Sequence, residues 1–407
     1  MTVFLPFPPP PMSPASPAAR HANPATATAI LLILFNPLGI DLYLPALPML
    51  QSQFHADASA SIGAFVFSLG LGQLLFGPLA DRVGRRPVAL GGLLVYAVAS
   101  LLAGHCGTLG GFLLARVLQG LGASASSVCA FTIIRDCFSG NAAARRYSLL
   151  NGMLSIVPAM APTLGSVLVR QYGWPSCFLL LAALALAAFA ALAWKMPETR
   201  PAAPPRAERA GSAELLRHPE LLRYGACCCT ALGMILGYVT LSPKVLIADG
   251  GVSPAVFGLL FGANALLIMA ASFVGLRLIG RFSQQTLLHW GLGLMALSGA
   301  LLLALSGKSG AWHYMGPVAV LSVGFAFTLG PASSLAMAPF AHAAGRAAAL
   351  LGCAQMLFAA VLSAALAALP LPGEWALGGA ALLLPLACLL ACLLALRLQG
   401  VPAPAGA

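Results

Sequence analysis

Charge is scarce in this chain. Only 8% of its 407 residues are Asp, Glu, Lys or Arg, where a soluble globular domain carries about 25%. Long polar stretches are scarce too: after the first 24 residues a single one interrupts a succession of apolar runs. Together these deficits exclude an ordinary soluble domain. No G-x-x-x-x-G-K-[ST] string occurs, so ATP bound at a P-loop does not power this protein. The seven His show no H-E-x-x-H or paired-ligand spacing, and neither a metal nor another cofactor is legible. The ten Cys form no disulfide framework. Most lie in apolar runs (Cys129, Cys177, Cys227, Cys228, Cys229, Cys353, Cys388, Cys392), where they read as small packing residues. The adjacent trio Cys227–Cys229 would point three ways around a helix and could not chelate one ion. Nothing here suggests an enzyme.

What is present is apolar. The chain is 60% hydrophobic with a mean hydropathy of +0.92, and runs of roughly twenty apolar residues, each enough to cross about 30 Å of hydrocarbon, recur along its length. This is an all-α membrane protein with twelve expected spans, near residues 25–50, 58–80, 88–103, 109–134, 147–169, 175–194, 221–246, 254–276, 286–305, 312–338, 346–369 and 374–397. Residues 1–24 hold eight Pro and almost no charge, lack the basic and apolar regions of a signal peptide, and read as a disordered tail; Met12 is an alternative start. The polar segment Lys195–Arg223 falls at the middle. It divides the chain into a six-helix bundle at 25–196, a linker at 197–220, a second six-helix bundle at 221–397 and a short tail at 398–407.

The net charge of +11 is topology rather than a nucleic-acid surface. Of 21 Lys and Arg, three fall on one side of the predicted arrangement (Arg170, Lys244, Lys308), one lies within a span (Arg116), and the rest share the other side. The positive-inside rule makes that side cytoplasmic, with both termini there.

The densest charge is the turn Gly77–Pro87, GPLADRVGRRP, between the second and third spans. Asp81, Arg82, Arg85 and Arg86 must sit at a membrane surface. Gly77 and Gly84 would let two helices approach, and Asp81 is placed to meet neighbouring Arg groups and a helix N-terminus. An offset of 196 residues carries Gly84-Arg85 onto Gly280-Arg281 and the first span onto the seventh, which makes the halves read as distant repeats with a central binding site.

Only Asp41 and Arg116 are charges well inside spans. Each costs about 2.5–3.5 kcal/mol at mid-bilayer, so each should face the bundle interior or a watery cavity. Two roles fit. They could brace the first and fourth helices, as an ion pair or through hydrogen bonds. Alternatively, Asp41 could take up and release a proton while Arg116 tunes it or contacts a substrate. Arg116, Gln119 and Gly120 share one helix face. Pro158 and Pro162 should bend the fifth helix. Asn36, Tyr43, Phe65, Gln73, Gln119, Tyr238, Asn264 and Gln355 are polar or aromatic candidates for a cavity wall, which would suit an uncharged or zwitterionic ligand.

These strings carry a family resemblance. GPLADRVGRRP resembles the signature between the second and third helices of the major facilitator superfamily of transporters. RVLQGLG at Arg116–Gly122 resembles the helix-four signature of its proton antiporters, where the Arg is implicated in proton coupling. DLYLPALP at Asp41–Pro48 is similar to the helix-one string of the bicyclomycin/chloramphenicol-resistance (Bcr/CflA) branch. PAMAPTLG, with Pro158, Pro162 and Gly165, resembles that branch's antiporter motif, a kinked gate. Arg135-Asp136, Phe138–Gly140, Gly173-Trp174 and Pro331–Gly352 agree, so the resemblance spans roughly residues 26–397 and looks closest to chloramphenicol/florfenicol exporters. It implies a monomeric multi-pass transporter of the bacterial inner membrane that expels a small-molecule drug in exchange for protons. Asp41 would be the carrier, Arg116 and Gln119 would be nearby, and Gly77, Asp81, Arg82, Gly84, Arg85 and Arg86 would form a cytoplasmic gate motif. The same fold would serve a metabolite exporter for a siderophore, amino acid or purine.

Overall fold

The computed structural model describes residues 17–138, 140–199, 218–279, 281–308, 310–340 and 344–399, and these form helices joined by short connections. Twelve long helical units follow one another. The first, α1, comes in pieces: Pro17–Ile33, Phe35–Asp41, a 3-10 turn at Leu44–Ala46, and Leu47–Phe54. Then come α2 (Ala60–Val83), α3 (Arg85–His105), α4 (Leu109–Cys137), α5 (Gly140–Tyr172) and α6 (Pro175–Lys195). The second set is α7 (Pro219–Pro243, continued as a π-turn Lys244–Asp249), α8 (Pro254–Ile279), α9 (Gln284–Leu305), α10 (Trp312–Met337), α11 (Ala344–Ala368) and α12 (Gly373–Gln399). Among the described residues, eleven helical spans are long and apolar enough to cross a membrane.

Local chemistry sets these boundaries. Pro stands at the first position of α6, α7 and α8, where its missing N–H costs nothing. Thr108 and Ser283 cap α4 and α9 by accepting from the N–H groups of Gly111 and Thr286, at 3.3 and 3.1 Å. The first helical piece begins at Pro17, and its Ala-rich run continues through Pro24. Residues 1–16, most of the linker, Gly280 and the last eight residues lie outside the described residues.

The break in α1 departs from the single helix expected at 25–50. Pro37, Pro45 and Pro48 lack N–H donors, so the helical carbonyl partners four residues earlier lose their bonds. For Pro45 that partner is Asp41 itself. The chain leaves α-helix at Leu42 and re-forms one turn through the Ala46 N–H bond to the Tyr43 carbonyl, 2.8 Å.

The two halves repeat each other. In the first, α3 packs on α4 and α6, and α2 packs on α4; in the second, α9 packs on α10 and α12, and α8 packs on α10. Between the halves the main contacts are α2 with α11 and α5 with α8. Under the 196-residue offset, α2 becomes α8 and α5 becomes α11, so the two seams are one contact seen twice. Lipid is as apolar as Leu, so small residues that admit close backbone approach hold these seams. A Cβ on Gly262 would stand 2.5 Å from the Ala159 carbonyl oxygen of α5, and one on Gly258 would stand 2.9 Å from Thr163 Cα.

At one end of the bundle the charged turn closes a network. Arg85 is 2% exposed and donates to Asp136 at 2.7 Å, to Asp81 at 2.8 Å and to the Ala80 carbonyl at 2.7 Å. Arg135 adds weaker contacts to Asp81 and Asp136, at 3.6 and 3.4 Å. Glu198, just beyond α6, accepts from the backbone N–H groups of Arg85 and Arg86 at 2.8 and 3.1 Å. Thus Glu198, not Asp81, caps the α3 N-terminus. Arg86 donates to the Ala193 carbonyl at 2.6 Å, and Arg82 is exposed in the last turn of α2. Gly84 is required twice: its φ is +114°, and a Cβ would meet a Glu198 oxygen at 2.5 Å. Gly77 is not at a close approach, since nothing lies within 4 Å of where its Cβ would be. The second half keeps only Arg277 and Arg281, both exposed, and all four ion pairs among the described residues belong to the first half.

Asp136→Ala would strand the buried Arg85 guanidinium and should cost about 3–5 kcal/mol. Asp81→Ala removes a carboxylate that is 57% exposed and should cost under about 1 kcal/mol. Thermal melting of the purified variants in detergent checks the order; equal melting points would contradict it.

Candidate functional site

Between the halves lies a cavity of about 740 Å³. It runs from Asn36 and Asp41 on α1, past Tyr238 on α7 and Asn264 on α8, towards Ile279 and Leu287 at the end that carries the charged turn. On the far side of Asp41 the halves stay in contact, through the Gly258 and Gly262 approaches and where Leu47–Phe54 touches the π-turn after α7. The chamber is therefore open towards the charged-turn end and closed at the other.

Most of its wall is apolar, including Ile40, Val66, Leu154, Phe261, Phe325 and Met356. The polar lining residues are Asn36, Asp41, Tyr238, Asn264, Ser272 and Ser333. Among the described residues no Arg, Lys or His lines it, and Asp41 is its one charged side chain. Asp41 is 4% exposed, and among the described residues its carboxyl makes no ion pair or hydrogen bond. Tyr238 stacks on Phe261, with ring centroids 5.4 Å apart and an interplanar angle of 16°. The Tyr238 hydroxyl and the Asn264 side-chain oxygen are buried without partners. A buried polar atom left unsatisfied costs about 1–3 kcal/mol, so a ligand that hydrogen-bonds to this pair gains from it.

Arg116 stands apart from this chamber. It is wholly buried inside the first half and forms no ion pair with Asp41, so that form of bracing is absent. Its guanidinium carbon lies over the rings of Tyr43 and Phe65, 4.5 Å from each centroid, with Phe178 at 5.9 Å. Nη1 donates to Gln119 Oε1, Nε reaches the Ser61 carbonyl at 3.4 Å, and Nη2 has no partner. Tyr43 and Gln119 thus serve Arg116 rather than the cavity wall. Phe65 does the same and also packs on Gly39. Gln355 is half-buried on α11 and is not among the lining residues, and Gln73 approaches Gly352 across the α2–α11 seam. Asn36, Tyr238 and Asn264 do line the chamber.

Helix α5 joins the two regions. Pro158 lines the cavity, and the carbonyl of Pro162 faces Gly258. Gly165 lies so close to the α1 break that a Cβ would stand 2.9 Å from the Leu42 carbonyl carbon. Backbone meets backbone one residue after Asp41, so no side chain fits at 165. Sequence reasoning missed Glu198 and the pairing of Asp136 with Arg85; the signal available was the scarcity of acids at the basic end.

Comparison with known proteins agrees with this architecture. The chain is 34% identical over 332 residues to "Multidrug resistance protein MdtL" of Shewanella oneidensis, covering 80% of this chain and 84% of that protein. It is 34% identical over 342 residues to "Chloramphenicol resistance protein" of Pseudomonas aeruginosa, covering 80% of each. The fold is similar to an inward-facing, occupied crystal structure of a bacterial homolog of the human lysosomal transporter Spinster, with a TM-score of 0.75, 14% identity and coverage of 96% of this chain and 100% of that one. The unoccupied inward-facing form gives a TM-score of 0.69. Residues 29–364 match the family model described as Major Facilitator Superfamily; the chain belongs to that superfamily and is a membrane transporter.

Proposed function

We propose that this transporter is a proton-coupled drug exporter of the Bcr/CflA type in a bacterial inner membrane, acting on phenicol-like and related apolar drugs. The observation that carries the reading is Asp41: among the described residues an unpartnered carboxyl and the one charged group lining the chamber, placed at the break in α1 that Gly165 of α5 touches. The two resistance relatives, named for multidrug and chloramphenicol resistance, point to the same class of cargo.

With the charged-turn end in the cytoplasm, the chamber is inward-open and can load drug from the cell. The cargo lies among apolar walls, with Tyr238 and Asn264 as its polar anchors. A wall without cationic groups does not favour anions. In the outward-open state a proton reaches Asp41 and favours drug release; its loss to the cytoplasm resets the site. Movement of α8 reaches α5 through the Gly258 and Gly262 seam, and α5 bears directly on the backbone beside Asp41. Arg116 holds the charge state of the first half in register with that movement. One charge falling through 100 mV yields about 2.3 kcal/mol and one pH unit about 1.4 kcal/mol, enough for a drug gradient of roughly a few hundredfold.

Asp41→Asn should keep the fold and chloramphenicol binding but abolish pH-driven export in everted vesicles. Undiminished efflux by that variant, or uphill export that survives an uncoupler, would remove Asp41 from the cycle. Tyr238→Phe should weaken chloramphenicol binding about 2- to 10-fold, the worth of one hydrogen bond, and leave the pH dependence of transport alone; calorimetric titration and the pH profile separate the two effects. Arg116→Ala should insert and express normally yet lose coupling. Failure to fold would instead make Arg116 a brace.

A further inference from the structure

Two serines that do not line the chamber determine how Arg116 is held. A serine hydroxyl has one proton to give. Ser100 spends its proton on the Tyr96 carbonyl, 2.7 Å away, so towards Gln119 it can only accept. Gln119 must therefore turn its amide nitrogen to Ser100, at 2.7 Å, and its amide oxygen to Arg116. With the amide reversed, Gln119 would present donors to Arg116 Nη1 and an acceptor to a hydroxyl whose proton is already committed. Ser61 repeats the device. Its proton goes to the Ala58 carbonyl at 2.6 Å, so the Tyr43 hydroxyl donates to it at 2.8 Å, which fixes the ring on one face of the guanidinium. Ser61, Ser100, Arg116 and Gln119 are all 0% exposed, so no water substitutes at these contacts.

We propose that Ser100 is a positioning residue for proton coupling, acting through the orientation of the Gln119 amide on Arg116, with Ser61 setting the Tyr43 ring in the same way. This rests on the reading of Arg116 as the coupling residue. Two aromatic rings, the Gln119 amide and the Ser61 carbonyl hold the guanidinium, and among the described residues only Nη2 is left unpartnered. The serines thereby decide which N–H of a buried cation remains available to an acceptor when the halves rearrange. Without the Ser100 acceptor, the Gln119 amide nitrogen loses its buried partner and only the Arg116 contact still orients the amide, so the clamp loosens.

The test uses the full chain in proteoliposomes, measuring chloramphenicol-driven proton flux against pH for wild type, Ser100→Ala, Ser100→Thr, Arg116→Lys and the Ser100→Ala/Arg116→Lys pair. Ser100→Ala should lower the maximal coupled rate about tenfold, the effect of leaving one buried amide unsatisfied. It should displace the pH midpoint and leave the KM for chloramphenicol within about twofold. Ser100→Thr keeps the hydroxyl and should restore both the rate and the pH midpoint. The double variant should be no worse than Arg116→Lys alone, because the two act through one contact. A wild-type rate and pH profile for Ser100→Ala, with coupling lost in Arg116→Lys, overturns the proposal. Coupling intact in Arg116→Lys overturns the underlying reading instead. Should Ser100→Ala fail to insert, Ser100→Cys offers a weaker acceptor of similar size; it should shift the profile the same way, and an unchanged profile counts against the proposal.

Discussion

Hydrocarbon offers nothing to a polar group, and the structure is arranged around that constraint. Each buried charge meets it differently. Arg85 finds two carboxylates and a carbonyl at the end of the bundle. Arg116 is wrapped in aromatic faces and one amide. Asp41 has neither arrangement and faces the chamber instead. The first is a fully paired guanidinium, the second a held but incompletely satisfied cation, and the third a carboxyl left facing the open chamber.

The same constraint explains the break in α1. An unwound backbone within the bilayer is tolerated where it faces protein or a cavity, and Leu42–Tyr43 sits between the chamber and α5. Pro45 removes the donor that the Asp41 carbonyl would otherwise use, so the residue with the free carboxyl also stands at the loosest point of its helix. The seam between α5 and α8 is tight because Gly258 and Gly262 present backbone rather than side chains. Displacement there cannot be absorbed by rotamer changes and passes on to the neighbouring helix.

Much of this was legible beforehand, for reasons tied to particular residues. Twelve apolar runs and a central polar segment fix the layout, because length and hydropathy alone decide what spans a bilayer. Asp41 and Arg116 stood out because charge is rare in such runs. What could not be read was which polar groups would face each other. Tyr43, Gln119 and Gln355 look alike in sequence as cavity candidates, yet the first two turn inward to Arg116 and the third lies away from the chamber wall. Helix rotation decides this, and it depends on packing against neighbours rather than on local pattern. Glu198 was hidden for a similar reason. Its partner is the N-terminus of a helix more than a hundred residues earlier, and no local spacing announces such a contact.

The chamber draws its wall from both bundles. Asn36, Asp41, Val66 and Leu154 come from the first, and Tyr238, Asn264, Phe325 and Met356 from the second, whereas Arg116 and its ring and amide neighbours lie within the first. A substitution on the second-bundle side therefore reshapes the wall without touching the surroundings of Arg116. Such a plan lets the contour of the chamber drift in one bundle while the buried cation of the other keeps its neighbours.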